Sequence, residues 1–434
     1  MNEKFSSIIR SALRFLSGTS LSRVSGFTRD ITMAACFGAT PSVAAFLVAF
    51  RLAHLLRRVF GEGAMQTAFV PIYEKFRGES PVRADKFFLD LKGSLFFALV
   101  GLVLFAMLGI HLLFDGEIAS LSVLLLPSLP FICLFGLNAS LLQCHNHYFV
   151  PGVAPVAFNL IWIAGTLYLK DVPEAQAMRS LAYFVIIACI AQWAMTLPQI
   201  IPTWKARVKI VLFSQDVRSL LAPLSLAIVG VAASQINNAL DAFFARYASL
   251  EGPAYLWYAI RLQQLPVALI GVALSGALLP PLSRAIHAGK LELFGSLIKK
   301  ALVVVSVLML LVTLVLVFGA DPLIRIVYGH GGFSAEAVKE TALCLAGYAL
   351  GLIPLAWVLI LSPACNAQGR YREPAIASTV SMVANIALNG IFIFGFGWGA
   401  VSIAVATSLS SFLNAALLWK VCSTSLVSRF TKQV

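Results

Sequence analysis

Apolar residues fall in twelve long blocks, at about 8–37, 41–74, 86–113, 117–143, 150–169, 180–203, 215–249, 253–284, 294–319, 336–365, 373–396 and 399–420. Proline, glycine and clusters of charge separate them. Most blocks run for roughly 20 to 30 residues, enough for a helix rising ~1.5 Å per residue to cross a ~30 Å hydrocarbon core. Barrel strands would be shorter and would alternate strictly, which these blocks do not. The pattern predicts an all-α integral membrane protein of twelve transmembrane helices.

Composition narrows the reading further. The chain is 59% hydrophobic and only 12% charged, with a mean hydropathy of +0.88, whereas ordinary globular chains carry about 25% charged residues. That excludes a secreted domain, a cytosolic enzyme and a nucleic-acid binder. The net charge of +13 therefore reads as basic cytoplasmic loops. With both termini cytoplasmic, the inside segments hold 21 Lys and Arg residues and the outside loops hold four, namely Lys170, Arg179, Arg246 and Arg325. The positive-inside rule fixes that orientation. The N-terminus shows no cleavable signal peptide. The seven cysteines form no CxxC pair and sit mostly inside apolar blocks, as buried free thiols do.

The chain also repeats. A shift of 210 residues carries Arg51-Leu52 onto Arg261-Leu262, Leu55 onto Leu265, Gly61 onto Gly271 and Pro71 onto Pro281. Six helices entered from one side are thus followed by six more. This predicts an N-terminal lobe over 1–203, a basic cytoplasmic linker over 204–214, a C-terminal lobe over 215–424 and a basic tail over 425–434. Transporters commonly place a central substrate site between two such lobes, near the bilayer midplane.

Charge inside the apolar blocks is the candidate chemistry. Counted from the outer end of each block, Arg29 lies roughly 13 Å deep, Arg51 roughly 15 Å and Arg261 roughly 12 Å, with Asp30 and Asp241 at a similar level. An arginine at that depth costs about 2.5–3.5 kcal/mol if it faces lipid. Such side chains face a wet cavity or each other. Pairing with Asp30, Asp241 and Glu62 would make them structural ion pairs. Arg23, Arg57 and Arg58 add more cations to the first two helices than those acids neutralise. Arg57 and Arg58 also lie near enough to the cytoplasmic side to snorkel, and Glu62 is spaced to pair with Arg58. A surplus of guanidinium in a water-filled cavity suits an anionic guest, phosphate above all.

A second group is polar. Ser234, Asn238 and Asp241 form one stripe of the seventh block; Asn385 and Asn389 share a face of the eleventh, and Thr407 lies at a similar depth in the twelfth. Oxygen ligands around Asp241 would suit Na⁺, or Asp241 could carry a proton. Interhelical hydrogen bonding explains the same residues without a cation. Cys144, His145 and His147 lack a fourth ligand nearby for a metal. The glycines around His330 read as an outer loop, and no nucleophile–base arrangement is visible.

The run Ser22-Arg23-Val24-Ser25-Gly26-Phe27-Thr28-Arg29-Asp30 carries a family likeness. So do Phe46-Leu47-Val48-Ala49-Phe50-Arg51-Leu52, the stretch from Leu55 through Arg57-Arg58 and Gly61-Glu62-Gly63-Ala64 to Pro71, and Trp257-Tyr258-Ala259 through Arg261-Leu262 to Pro280. Together they closely resemble the MurJ (MviN) lipid II flippase family, within the multidrug/oligosaccharidyl-lipid/polysaccharide exporter superfamily. The resemblance implies two six-helix lobes rocking about a central cavity. It also implies passage of an undecaprenyl-pyrophosphate-linked peptidoglycan precursor, lipid II, from the cytoplasmic to the outer leaflet of the bacterial inner membrane. Cavity arginines carry over onto Arg23, Arg29, Arg57 and Arg261, with Arg51 at a position where the family often has Lys or Arg. The implied partners are lipid II, membrane lipids and cell-wall synthesis proteins. No organic cofactor is implied, and Na⁺, H⁺ or the membrane potential remains open as the coupling force.

The chain departs from the family in having Ala44 and Ile260 where an acid is common. The family usually has fourteen helices where this sequence reads as twelve. Two other functions fit the composition: a cation-coupled drug exporter of the same superfamily, which would want an acid-lined site, and a non-transporting scaffold for cell-wall synthesis, which would gain nothing from buried cations.

Overall fold

The computed structural model describes residues 5–60, 64–201, 210–272, 274, 278, 281–282, 284–286, 288–370 and 372–430, the side chains of 5–16, 56–60, 64, 67, 226–234, 272 and 424–430 excepted. Among them all regular structure is helical. Two compact units result, one of Met1–Phe37 with Ala45–Ala239 and one of Gly38–Ala44 with Leu240–Val434. The linker expected at 204–214 falls outside the described residues as far as 209.

The first unit holds α1 (Phe5–Phe37), most of α2 (Pro41–Phe60), α3 (Ala64–Glu79), α4 (Pro81–Leu113), α5 (Glu117–Leu125), α6 (Leu129–Cys144), α7 (Phe149–Tyr168), α8 (Glu174–Ala194) and the short α9 (Leu197–Ile200). It also takes the first part of α10 (Gln215–Ala248). Proline opens α2 and α4, where its missing N–H is no loss. Within the expected second helix, 41–74, α2 and α3 lie on either side of residues 61–63, which are outside the described residues. The expected fourth is α5 and α6 joined by the 3₁₀ turn Leu126–Ser128, at Pro127 and Pro130. α7 packs along α1. Their backbones come so close that a Cβ on Gly18 would stand 3.0 Å from the Phe149 carbonyl oxygen, the small-residue contact that helices use where apolar burial gives no drive.

The second unit holds the rest of α10, then α11 (Gly252–Pro266), α12 (Leu291–Phe318), α13 (Ala320–Val327), α14 (Ala335–Ala349), α15 (Leu352–Ala367), α16 (Arg372–Gly390) and α17 (Val401–Phe430). π-helical turns follow α11 at Val267–Val272 and α16 at Ile391–Gly395; such turns cluster at functional sites. The tenth helix, expected as one piece over 336–365, is bent by 42° between α14 and α15. The cause is local. Pro354 cannot donate to the Leu350 carbonyl, and Gly351 abuts α17 so closely that a Cβ would stand 2.7 Å from Ser408 Oγ. Side chains take over the loosened carbonyls: Ser408 Oγ donates to Gly347 O at 2.7 Å and Gln263 Nε2 to Tyr348 O at 3.2 Å. A broken helix in a bilayer survives only with such replacements.

Among the described residues seven helices are long and apolar enough to cross a membrane, eight if the bent pair is one span. They coincide with the third to sixth, ninth, eleventh and twelfth expected segments, and with the tenth when the pair is counted. The first, second, seventh and eighth expected segments are not among them, and those four carry Arg29, Arg51, Asp241 and Arg261.

Candidate functional site

In the first unit the site is built around Arg29 on α1, 7% exposed. Its Nε and Nη2 donate to Asp30 Oδ1 at 3.1 and 2.8 Å, and its Nη1 donates to Asn159 Oδ1 at 3.1 Å. Its Cζ lies 4.7 Å from the centre of the Trp162 ring. Asn159 and Trp162 are three apart on α7 and so share a face. The other end of the Asn159 amide donates to Ser22 O at 3.2 Å and Ser25 Oγ at 2.9 Å. One carboxamide therefore grips α1 one turn before Arg29 and aims the guanidinium. Trp162 is in turn held edge-on by Phe46 and Phe50 of α2 and by Phe158. A buried guanidinium is tolerated where charge-assisted hydrogen bonds and a ring face replace its water. Three of its five N–H groups enter these bonds, which leaves two for a guest.

The second unit's arginine is held differently. Arg261 Cζ lies 4.4 Å from the centre of the Trp257 ring, one turn earlier on α11. Trp257 is buried. Residue 260, immediately before the arginine, is isoleucine.

The polar stripe of the second unit is assembled too. Asn389 Nδ2 donates to Asp241 Oδ1 at 2.8 Å and to Asn385 Oδ1 at 3.1 Å. Asn385 Nδ2 reaches Thr407 Oγ1 at 3.4 Å and Ser410 Oγ at 3.5 Å. Asp241, Asn385 and Asn389 are buried. A carboxylate, two amides and a hydroxyl from α10, α16 and α17 make a set of hard oxygen donors of the kind that takes an alkali or alkaline-earth cation.

The remaining expected residues are placed less tightly. Arg23 is exposed on α1 and Arg51 half-buried on α2. The side chains of Arg57, Arg58 and Ser234, and Glu62 altogether, lie outside the described residues. Asn159, Trp162 and Trp257 are additions that charge counting alone does not find. Asn159 stands out as a lone amide inside the apolar run Val156-Ala157-Phe158-Asn159-Leu160-Ile161-Trp162.

A third polar group closes one end of the first unit. Tyr73 Oη lies 2.9 Å from His145 Nε2 and 3.4 Å from Asp85 Oδ1, and Arg77 Nη1 donates to the Cys144 carbonyl at 2.8 Å. It ties α3, α4 and α6 together. Burial, with Arg77 beside it, holds His145 below its ordinary value. Among the described residues no three His, Cys, Asp or Glu side chains are grouped to hold a metal; His145 and the Cys144 carbonyl enter this junction.

The fold is that of a helical membrane transporter. An inward-facing multidrug resistance MATE family transporter of the MOP superfamily aligns over 98% of this chain and 100% of its own, with a TM-score of 0.74 at 13% identity. The solved lipid II flippase MurJ in an inward closed conformation aligns over 96% of this chain and 91% of its own, with a TM-score of 0.81 at 26% identity. The probable lipid II flippase MurJ of Chlamydia muridarum is 33% identical over 428 residues, 97% of this chain and 79% of the relative. Residues 33–434 match the family described as lipid II flippase MurJ, and the chain belongs to that family. It is accordingly a multi-pass protein of the bacterial inner membrane.

Proposed function

We propose that this chain moves lipid II from the cytoplasmic to the outer leaflet by alternating access, with Arg29 and Arg261 binding the pyrophosphate and Arg23 and Arg51 drawing it in. The observation that carries this is the setting of Arg29: a buried cation aimed by Asp30, Asn159 and Trp162, with two N–H groups still to give. Phosphate oxygens match a guanidinium edge bidentately. Binding the anion removes repulsion among the fixed cations, so the bound and empty chains favour different conformations. Both termini lie in the cytoplasm, as the basic residues require. A potential negative inside then favours outward release of an anion by about 2.3 kcal/mol per charge per 100 mV.

Asp241, Asn385, Asn389 and Thr407 bind the coupling cation in this reading. Asn389 now offers its N–H₂ to Asp241; a turn of the amide offers oxygen instead, so the donor set fits Na⁺, and protonation of Asp241 is the other way to discharge it. Substrate selection falls to the arginines, which is why an exported cationic drug fits this site poorly.

Purified protein in lipid vesicles tests the proposal. Arg29→Ala and Arg261→Ala should each abolish lipid II translocation while leaving the protein folded in the membrane. Full translocation by both variants contradicts it, and efflux of cationic drugs without lipid II movement would favour the drug-exporter function.

A further inference from the structure

We infer that Cys365 and Cys422 form a modification site, at which hydrogen peroxide joins the two thiols into a disulfide that staples α15 to α17. The sulfurs are already in contact. Cys365 Sγ lies 3.2 Å from Cys422 Sγ, between residues 57 apart in the chain. A disulfide is about 2.05 Å long, so joining them takes a closure of about 1 Å.

The surroundings hold that approach in place. Cys422 Sγ also lies 4.0 Å from the Leu361 carbonyl oxygen, one turn before Cys365, so it sits over a single turn of α15. Arg370 pins both segments. Its backbone N–H donates to Cys365 O at 3.0 Å and its Nη1 donates to Val421 O at 3.3 Å. Its Nε donates to Glu373 Oε1 at 2.7 Å, which braces the guanidinium against the first turn of α16. The two cysteine backbones are thus fixed, and the side chains alone have to turn.

Burial selects the oxidant. Cys365 is 0% exposed and Cys422 2%, so a reagent as large as oxidised glutathione does not reach the sulfurs, whereas hydrogen peroxide is small and uncharged. One cysteine gives up its proton and its sulfur attacks the O–O bond. One oxygen stays on that sulfur as a sulfenic acid, and the other leaves as hydroxide and takes the proton to become water. The second sulfur then attacks the first. The S–S bond forms as the S–O bond breaks, and the departing oxygen takes the second thiol's proton and leaves as water. Two thiols and one peroxide give one disulfide and two waters. With a partner sulfur in contact, the sulfenic acid is diverted into a bond that a dithiol reductant reverses, before it reaches the irreversible sulfinic level.

The test reads the bond itself. The full chain in nanodiscs is treated with rising hydrogen peroxide, unfolded in an alkylating agent, digested and read by mass spectrometry. Cys344, equally buried on α14, is the internal control. Residues 365 and 422 should appear in one cross-linked species, about 2 Da lighter than the two thiol peptides together, at doses that leave Cys344 a thiol. If Cys365 and Cys422 remain alkylated until Cys344 is oxidised, or carry separate sulfinic acids with no link, the inference is overturned. Thermal unfolding gives a second readout. A cross-link restricts the unfolded chain, so the oxidised protein should unfold about 5 °C higher and return to the parental value in dithiothreitol. Cys422→Ala, treated alike, should show no rise; a rise of the same size in that variant contradicts the staple.

Discussion

The two units hold a buried arginine in contrasting ways. Arg29 is gripped by an adjacent acid, an amide from α7 and a tryptophan face. Arg261 lies on a tryptophan of its own helix, while the second unit's membrane-depth carboxylate, Asp241, is bonded by Asn389. The first unit thus joins cation and anion on one helix turn, while in the second Arg261 meets an indole face and Asp241 accepts from an amide. A cation beside its own acid is affordable to bury but partly neutralised. An indole face adds to a guanidinium without cancelling its charge, and amides around an acid bring further oxygens toward it. On this account the first unit contributes a fixed binding group and the second unit contributes both a binding group and the coupling site.

The contrast breaks most visibly at Asn159. Asn159→Leu removes a buried charge-assisted bond to Arg29 and two part-buried bonds to α1. Lipid II translocation should fall by roughly tenfold or more, since hydrogen bonds to charged groups are worth about 1.5–3 kcal/mol. Unchanged rates would mean that Asp30 and Trp162 suffice to aim Arg29. At Asp241 the expected effect is narrower. Asp241→Asn should erase stimulation of translocation by a Na⁺ gradient, a few-fold effect, and leave pyrophosphate affinity at the parental value. Stimulation that survives the substitution moves the coupling site elsewhere.

The smallest effect is expected where α3, α4 and α6 meet at Tyr73 and His145. His145 takes a proton less readily in the folded chain than in the unfolded one. The unfolded state therefore binds the proton first as pH drops below about 6.5, and the junction's contribution, intact above that value, is lost through the range beneath it. Thermal unfolding in detergent should shift down by a few degrees between pH 7 and pH 5, and His145→Gln should remove that slope. An identical slope in the variant would place the titration on another group.

How much of this was legible beforehand depends on how far apart the partners lie in the chain. Arg29 beside Asp30 and Trp257 four before Arg261 are local pairs, visible in the sequence as soon as a helix is assumed. The alignment of Asn385 and Asn389 on one face is equally local, and depth counting brings Asp241 and Thr407 to the same level. Asn159 is 130 residues from Arg29, and periodicity marks only that an amide sits in an apolar run, without saying what it bonds. The bend between α14 and α15 leaves a signal in Leu350-Gly351-Leu352-Ile353-Pro354, which the continuous apolar block hides. Its position is fixed by Ser408, from another helix. The apolar blocks themselves are read most easily where the helix faces lipid.

The measurement that bears most directly on the central claim is undecaprenyl pyrophosphate binding to the parent, Arg29→Ala, Arg261→Ala and the double variant, in nanodiscs. If both guanidiniums hold one pyrophosphate, each single substitution weakens binding by about tenfold or more, and the double variant departs from the product of the two. Parental affinity in both single variants would contradict the account.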